Sequence, residues 1–223
     1  MSEESTPAAP TTYPARLEVD YTVERNRVTT AFRLVLVIPI AIVYSVLTAG
    51  ATTTTTYVET GTTASKTVST TSGGIVAGLF FATLLMVLLR QRYPRWWFDF
   101  ARELTRFAAR IGAYVVLLTD EYPSTVDEQK VHLDIDYPTV ERDLNRWLPL
   151  VKWFLAIPHY IVLFFLSIGA FFVVIVAWFA VLFTGHYPRG LFNFVVGVGR
   201  WALRVNAYAF LLVTDKYPPF SLD

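Results

Sequence analysis

The sequence predicts an α-helical membrane protein with four transmembrane helices, arranged as two tandem pseudo-symmetric hairpins. Each hairpin is preceded by a short cytoplasmic β-strand and followed by an amphipathic interfacial helix. Composition, the distribution of charge and an internal repeat lead to this prediction. Hydrophobic residues make up 54% and charged residues 17% of the 223 residues, whereas soluble chains carry about 25% charged residues.

Three long runs contain no Asp, Glu, Lys or Arg, and they cover residues 34–50, 73–89 and 153–185. A bilayer span requires about 20 mostly apolar residues, with about 17 as the lower limit. We therefore interpret the runs as membrane segments rather than as the buried core of a soluble protein.

The chain also repeats itself, with the same motifs in the same order in both halves. The matched pairs are FRLVLVIPIAIV at 32–43 with VKWFLAIPHYIV at 151–162, YPRWWFDF at 93–100 with YPRGLFNF at 187–194, and TDEYP at 119–123 with TDKYP at 214–218. Agreement in both order and chemistry indicates an internal duplication. The predicted boundaries are a disordered tail at 1–12, repeat 1 at 13–123 and repeat 2 at 124–223.

Each repeat is predicted to begin with a strand, because apolar residues alternate with polar ones near Leu17 and near Leu133. In repeat 1, two spans at about 33–50 and 73–90 follow. The Thr-rich segment 51–72 between them is predicted to be a flexible external loop.

The apolar run of repeat 2 is not divided by any loop. A single helix of 33 residues would be about 50 Å long, against about 30 Å of hydrocarbon. A two-span hairpin over 150–185, turning near 167–169, is therefore expected.

An amphipathic helix ends each repeat, at 95–119 and at 189–214. Aromatic residues on one face and arginines on the other are typical of helices in the headgroup region. Packing of these helices on each other or on the spans is the alternative. The residues expected at the lipid interface are Trp97, Arg102, Arg106, Arg110, Arg200, Trp201 and Arg204.

Charge placement predicts the orientation of the four spans. Lys66 lies in the predicted external loop. The other Lys and Arg residues lie in segments that four spans would place together on the opposite side of the membrane, or at the ends of the spans next to those segments. Basic residues collect on the cytoplasmic side of membranes. A multi-pass protein with both termini in the cytoplasm is therefore expected.

Pro39 and Pro158 occupy matched positions inside predicted spans, where each can kink a helix. His159 follows the second proline and aligns with Ile40. An ionisable residue within a span is a functional hypothesis, and the alternative is a hydrogen bond to a nearby carbonyl.

Metal ions and cofactors have little support in the sequence. His132, Asp134 and Asp136 lie on one face of a predicted strand and are weak metal candidates, since their spacing matches no known ligand signature. The chain has no Cys, and it contains no nucleotide-binding or hydrolase motif. No cofactor is expected, and a net charge of +1 gives no reason to expect a nucleic-acid partner.

Residues 137–223 resemble a family of bacterial membrane proteins catalogued as a domain of unknown function. IPHYIVLFFL, HYPRGLFNFVVGVGRW and TDKYPPFSL carry the resemblance, and residues 13–123 carry a weaker copy. The resemblance implies the bacterial cytoplasmic membrane and implies no catalytic residue.

The expected function is that of a non-enzymatic accessory or scaffold protein, whose cytoplasmic face docks a protein partner or anionic lipid. Membrane lipids and a membrane protein partner, or a second copy of the chain, are the expected partners. A channel or carrier along the pseudo-twofold axis is the alternative, although few polar groups line the spans. A lipid-modifying enzyme is the third possibility.

Overall fold

The computed structural model of the chain describes residues 13–48, 52–58, 65–71, 74–140 and 144–223. The tail predicted at 1–12 lies outside these residues. In chain order, the elements are β1 (Ala15–Val19), α1 (Arg27–Ala31), α2 (Arg33–Thr48), β2 (Thr52–Val58), β3 (Ser65–Thr71), α3 (Ile75–Leu85) followed by a π-helical turn (Met86–Arg90), α4 (Arg95–Val115), β4 (Val131–Ile135), a 3-10 turn (Leu148–Leu150), α5 (Lys152–Leu155), α6 (Ile157–Thr184) and α7 (Arg189–Ala209).

The prediction of four transmembrane helices is wrong. Within the described ranges, α6 is the one helix that is long and apolar enough to cross a membrane. Helix α2 has 16 residues, which corresponds to about 24 Å and is shorter than about 30 Å of hydrocarbon. The segment formed by α3 and its π-helical turn is equally short.

The two-span hairpin predicted at 150–185 is also wrong, because α6 continues without a break for 28 residues. Gly169 lies in the middle of this helix. A single glycine costs a helix only about 1 kcal/mol relative to alanine, which is too little to force a turn between strongly apolar flanks. Helix α6 ends at Gly185, whose φ of 77° terminates it in the left-handed conformation.

Helices α2 and α3 correspond to the two halves of α6. At the offset that pairs Arg33 with Lys152, α2 matches the chain from α5 to the middle of α6, and at the offset of 94 residues α3 matches the second half. The Thr-rich segment is therefore an insertion into an apolar helix. Its residues 52–58 and 65–71 form two antiparallel strands with Thr52 opposite Thr71, in agreement with the strand preference of β-branched threonine. Its flexibility and its external location stay predictions.

Strands form at both predicted positions and pair with each other across the two repeats. β1 and β4 are antiparallel, and Leu17 lies opposite Leu133. β1 packs on α7, whereas β4 packs on α4. Each strand therefore lies against the amphipathic helix of the other repeat, and Leu17 and Leu133 mark the pseudo-twofold axis.

Helices α6 and α7 lie side by side in opposite directions. Ala156, before α6, packs with Tyr208 near the end of α7, and Val181 near the end of α6 packs with Phe192 near the start of α7. The same arrangement holds in repeat 1, where Ile40 of α2 packs with Phe107 of α4. The outer side of α6 stays exposed.

Candidate functional site

The repeated Thr-Asp-x-Tyr-Pro motif of repeat 1 holds a buried cation at the start of α2. Arg33 is 2% exposed, and its guanidinium pairs with Asp120. The same group donates to the carbonyls of Tyr114 and Thr119 at 2.7 and 2.6 Å and lies 4.3 Å from the centroid of the Tyr114 ring.

Repeat 2 builds the same cluster around a lysine. Lys152 is fully buried, and its Nζ lies 2.6 Å from Asp215 Oδ1 and 2.7 Å from the Thr214 carbonyl oxygen. The Tyr208 ring centroid is 5.2 Å away. Burial lowers the pKa of the Lys152 ammonium, and Asp215 opposes that shift.

The backbone around the motif is repeated as well. Leu117 and Leu212 both adopt the left-handed conformation, with φ of 67° and 56°, which turns the chain after each amphipathic helix. The second oxygen of Asp120 accepts from the backbone N–H of Asn26 at 3.0 Å, and Asp215 accepts from Asn145. Removing one partner of such a buried pair costs about 3–5 kcal/mol, so these clusters are structural anchors for the apolar helices.

Two arginines of the predicted lipid-facing row bind the strands. Arg200 Nε donates to the carbonyl of Leu17 at 2.8 Å, and Arg106 Nη2 donates to the carbonyl of Leu133 at 3.2 Å. Each contact crosses from one repeat to the other. These two side chains fix the exchanged strands at the pseudo-twofold axis.

The other arginines of the row differ in burial and in their partners. Arg110 and Arg204 are buried, and they donate to the carbonyls of Ser124 and Asp223. Arg102 is partly exposed and lies 3.5 Å from Asp99. Lipid binding by this row stays a prediction, and the arginines that already bind the protein have fewer N–H groups left for phosphate.

The two tryptophans also have protein partners. Trp97 Nε1 donates to the Thr83 hydroxyl at 2.9 Å. Trp201 is buried, and its Nε1 donates to Nδ1 of His159 at 3.0 Å.

His159 is fully buried among aromatic rings. It stacks on Phe220 with the ring centroids 4.0 Å apart, and Tyr217 lies at 4.7 Å. The alternative of a hydrogen-bonded histidine therefore fits its position. The partner of His159 is the indole N–H of Trp201, which donates to it, and not the carbonyl that was expected. Pro158 lies in the first turn of α6, where a missing N–H costs nothing, whereas Pro39 lies inside α2.

The metal candidates are spread over an exposed sheet face. Arg16 pairs with Asp136 at 2.8 Å, and His132 lies 3.2 Å from Asp20. Asp134 lies opposite Arg16 in the register. Within the described ranges, no group of three or more His, Asp or Glu side chains is placed to hold a metal ion.

Sequence analysis missed a cavity of about 870 Å³ between α4 and α7. Strands β1 and β4 cover one side of it, and α6 lines another. Small residues on the facing helices leave this space, among them Ala109, Gly112, Gly199 and Ala202. Their presence on two amphipathic helices was visible in the sequence, but only the packing of the repeats shows that they face each other.

Comparison with known proteins identifies the two repeats independently. The sequence profile of a family described as Domain of unknown function (DUF4389) matches residues 67–126 and 147–221, which together make up more than half of the chain. The chain belongs to this family. No curated protein and no solved structure matches it.

The two DUF4389 segments confirm the duplication. They end at 126 and 221, which are equivalent positions at the offset of the Thr-Asp-x-Tyr-Pro motifs. The first segment begins inside β3 and does not include α2, whereas the second segment begins before the helix that corresponds to α2. The second segment includes Lys152, Asp215 and His159, and hence the complete anchor and the aromatic cluster of repeat 2.

Proposed function

We propose that the chain is a non-enzymatic accessory or scaffold protein of the bacterial cytoplasmic membrane. We further propose that the exposed, charged face of its β1–β4 sheet, called the strand surface below, docks a protein partner. The single observation that carries the proposal is the contrast between two exposed surfaces. Helix α6 exposes large apolar side chains such as Phe164, Phe165 and Phe183, whereas the β1–β4 sheet exposes charged ones. Contiguous apolar surface of this kind is typical of membrane contact.

Helix α6 supplies the membrane contact. Its 28 residues correspond to about 42 Å, more than the hydrocarbon thickness. Tyr13 donates to the carbonyl of Arg204 at 3.2 Å, and Arg204 donates to the carbonyl of Asp223. Because α7 returns in the opposite direction along α6, this proximity supports a placement of both ends of the described chain on one side of the membrane, with the exposed outer side of α6 in contact with lipid.

The strand surface consists of Arg16, Glu18, Asp20, His132, Asp134 and Asp136. Arg16 and His132 are engaged by Asp136 and Asp20. Among the described residues, Glu18 and Asp134 take part in no ion pair. The surface therefore carries net negative charge, which favours a basic protein segment and disfavours anionic lipid.

The experiment is a pull-down of the tagged full chain from native membranes, with quantitative mass spectrometry. We expect one protein to be recovered at a ratio near 1:1, and we expect the double substitution Glu18→Lys and Asp134→Lys to reduce its recovery at least tenfold. Asp127→Lys, in the exposed loop before β4, is the matched control and should leave recovery unchanged.

Two results would overturn the proposal. Recovery that is indifferent to charge reversal would show that the strand surface is not the docking site. A chain released from membranes by alkaline carbonate would contradict integral association through α6.

A further inference from the structure

The cavity between the repeats has the chemistry of a site for hydrocarbon. It lies on the pseudo-twofold axis, beneath Leu17 and Leu133. Its volume of about 870 Å³ is within the range of small-molecule sites, about 300–1,000 Å³. Apart from Arg33, the side chains with a hydroxyl or amide group along its wall are Thr105, Ser167 and Asn206. Water is a poor occupant of such a space because it finds few hydrogen-bonding partners.

The cavity also has a route to the membrane surface of α6. Phe171 and Ile175 line it and are at the same time exposed on α6. Leu34, beside Arg33, lines it as well and is 80% exposed. An apolar chain can therefore pass from the bilayer into the cavity along apolar side chains.

We infer that the cavity binds one long acyl chain. The inference rests on the proposed membrane association, because the bilayer supplies the ligand. The acyl chain is carried by a membrane phospholipid or by a free fatty acid, and both present the same hydrocarbon and the same carbonyl oxygen. No bond is made or broken.

The test uses the full chain in phosphatidylcholine–phosphatidylglycerol vesicles that contain phosphatidylcholine with a diazirine in one acyl chain. A parallel sample contains the corresponding free diazirine fatty acid. After irradiation, labelled residues are mapped by mass spectrometry. We expect labels on Ala109, Val131 and Leu133 in the cavity, in addition to labels on Phe183 at the outer surface of α6.

A cavity-filling substitution provides the decisive comparison. Gly112 lines the cavity, and a Cβ there would meet no atom within 4 Å, so Gly112→Phe is chosen to fill the cavity. We expect it to lower cavity labelling at least fivefold relative to Phe183. Gly190 also has open space and lies outside the cavity, so Gly190→Phe is the matched control. Thermal unfolding of both variants verifies that they are folded.

Labelling of Phe183 without the cavity, or cavity labelling that persists in Gly112→Phe, would overturn the acyl site while membrane association stands. Cross-links from cavity residues to a second copy would also overturn it. Absence of label at Phe183 would overturn membrane association itself.

Discussion

His159 and Trp201 occupy positions whose counterparts in repeat 1 are Ile40 and Phe107. In repeat 2, a hydrogen bond of 3.0 Å joins Trp201 to His159. In repeat 1, the corresponding side chains pack together in a hydrophobic cluster. The duplicated scaffold therefore accepts either a polar or an apolar pair at the same place. A single change leaves one polar group without its partner, which is the costly situation in a buried site.

We predict strong coupling between these two residues. His159→Ile leaves the indole N–H of Trp201 unpaired, and Trp201→Phe removes the donor to His159, so each should destabilise the protein by about 1–3 kcal/mol. The double variant recreates the pair of repeat 1 and should cost at least about 1 kcal/mol less than the sum of the single changes. Chemical unfolding of the four proteins in the same detergent measures the coupling, and additive losses would contradict it.

The anchor residues show what a sequence can and cannot predict at this scale. The repeated Thr-Asp-x-Tyr-Pro motifs and the matched Arg33 and Lys152 were both visible. Their contact was not, because 87 residues separate Arg33 from Asp120. A basic residue retained at the same place in two otherwise apolar segments was the signal that such a charge needs a buried partner.

Among the elements, the amphipathic helices and the short strands were predicted well because their periodicities are strong. The apolar segments were not, because a run without charges fixes neither its division into helices nor its path. A hairpin was predicted at 150–185 because the apolar run was considered too long for one helix, but α6 is a single helix of 28 residues. The cavity was beyond prediction from sequence, since it depends on how α4 and α7 face each other.

Helix α7 has one position at which the C-terminal segment makes a close approach. A Cβ at Gly197 would lie 2.8 Å from both Cβ and the carbonyl oxygen of Leu222. We predict that Gly197→Ala destabilises the protein by about 1–3 kcal/mol, the usual cost of overpacking. Gly190→Ala, with open space at the same helix, should be neutral or stabilising by up to about 1 kcal/mol. Thermal unfolding compares the two, and equal melting temperatures would contradict the close approach.

At the scale of the whole molecule, the two repeats hold each other by exchanged contacts. Arg106 binds the strand of repeat 2 and Arg200 binds the strand of repeat 1. At the helix ends, Arg146 donates to the carbonyl of Leu88 at 2.6 Å, and the backbone N–H of Arg25 donates to the carbonyl of Gly185 at 2.9 Å. Neither repeat is complete without the other.

We predict that the chain stays assembled when the link between the repeats is cut. A protease site inserted between Asp127 and Glu128, in the exposed loop before β4, should be cleaved without separation of the two fragments on size exclusion. Either fragment expressed alone should fail to show cooperative unfolding, because its strand lacks a partner. Separation of the cleaved fragments, or cooperative unfolding of one of them alone, would contradict the exchange.

The exchange also affects how the chain is made. The carbonyl of Leu17 is bound by Arg200, which is synthesised 183 residues later. At about 5–20 residues per second, the ribosome needs about 10–40 s to reach that arginine. Until β4 is synthesised, in the first part of this interval, the nascent first repeat has its apolar helices but not the strand that pairs with β1. The lipid bilayer or a chaperone must therefore shield the unfinished repeat until translation of the second one completes it.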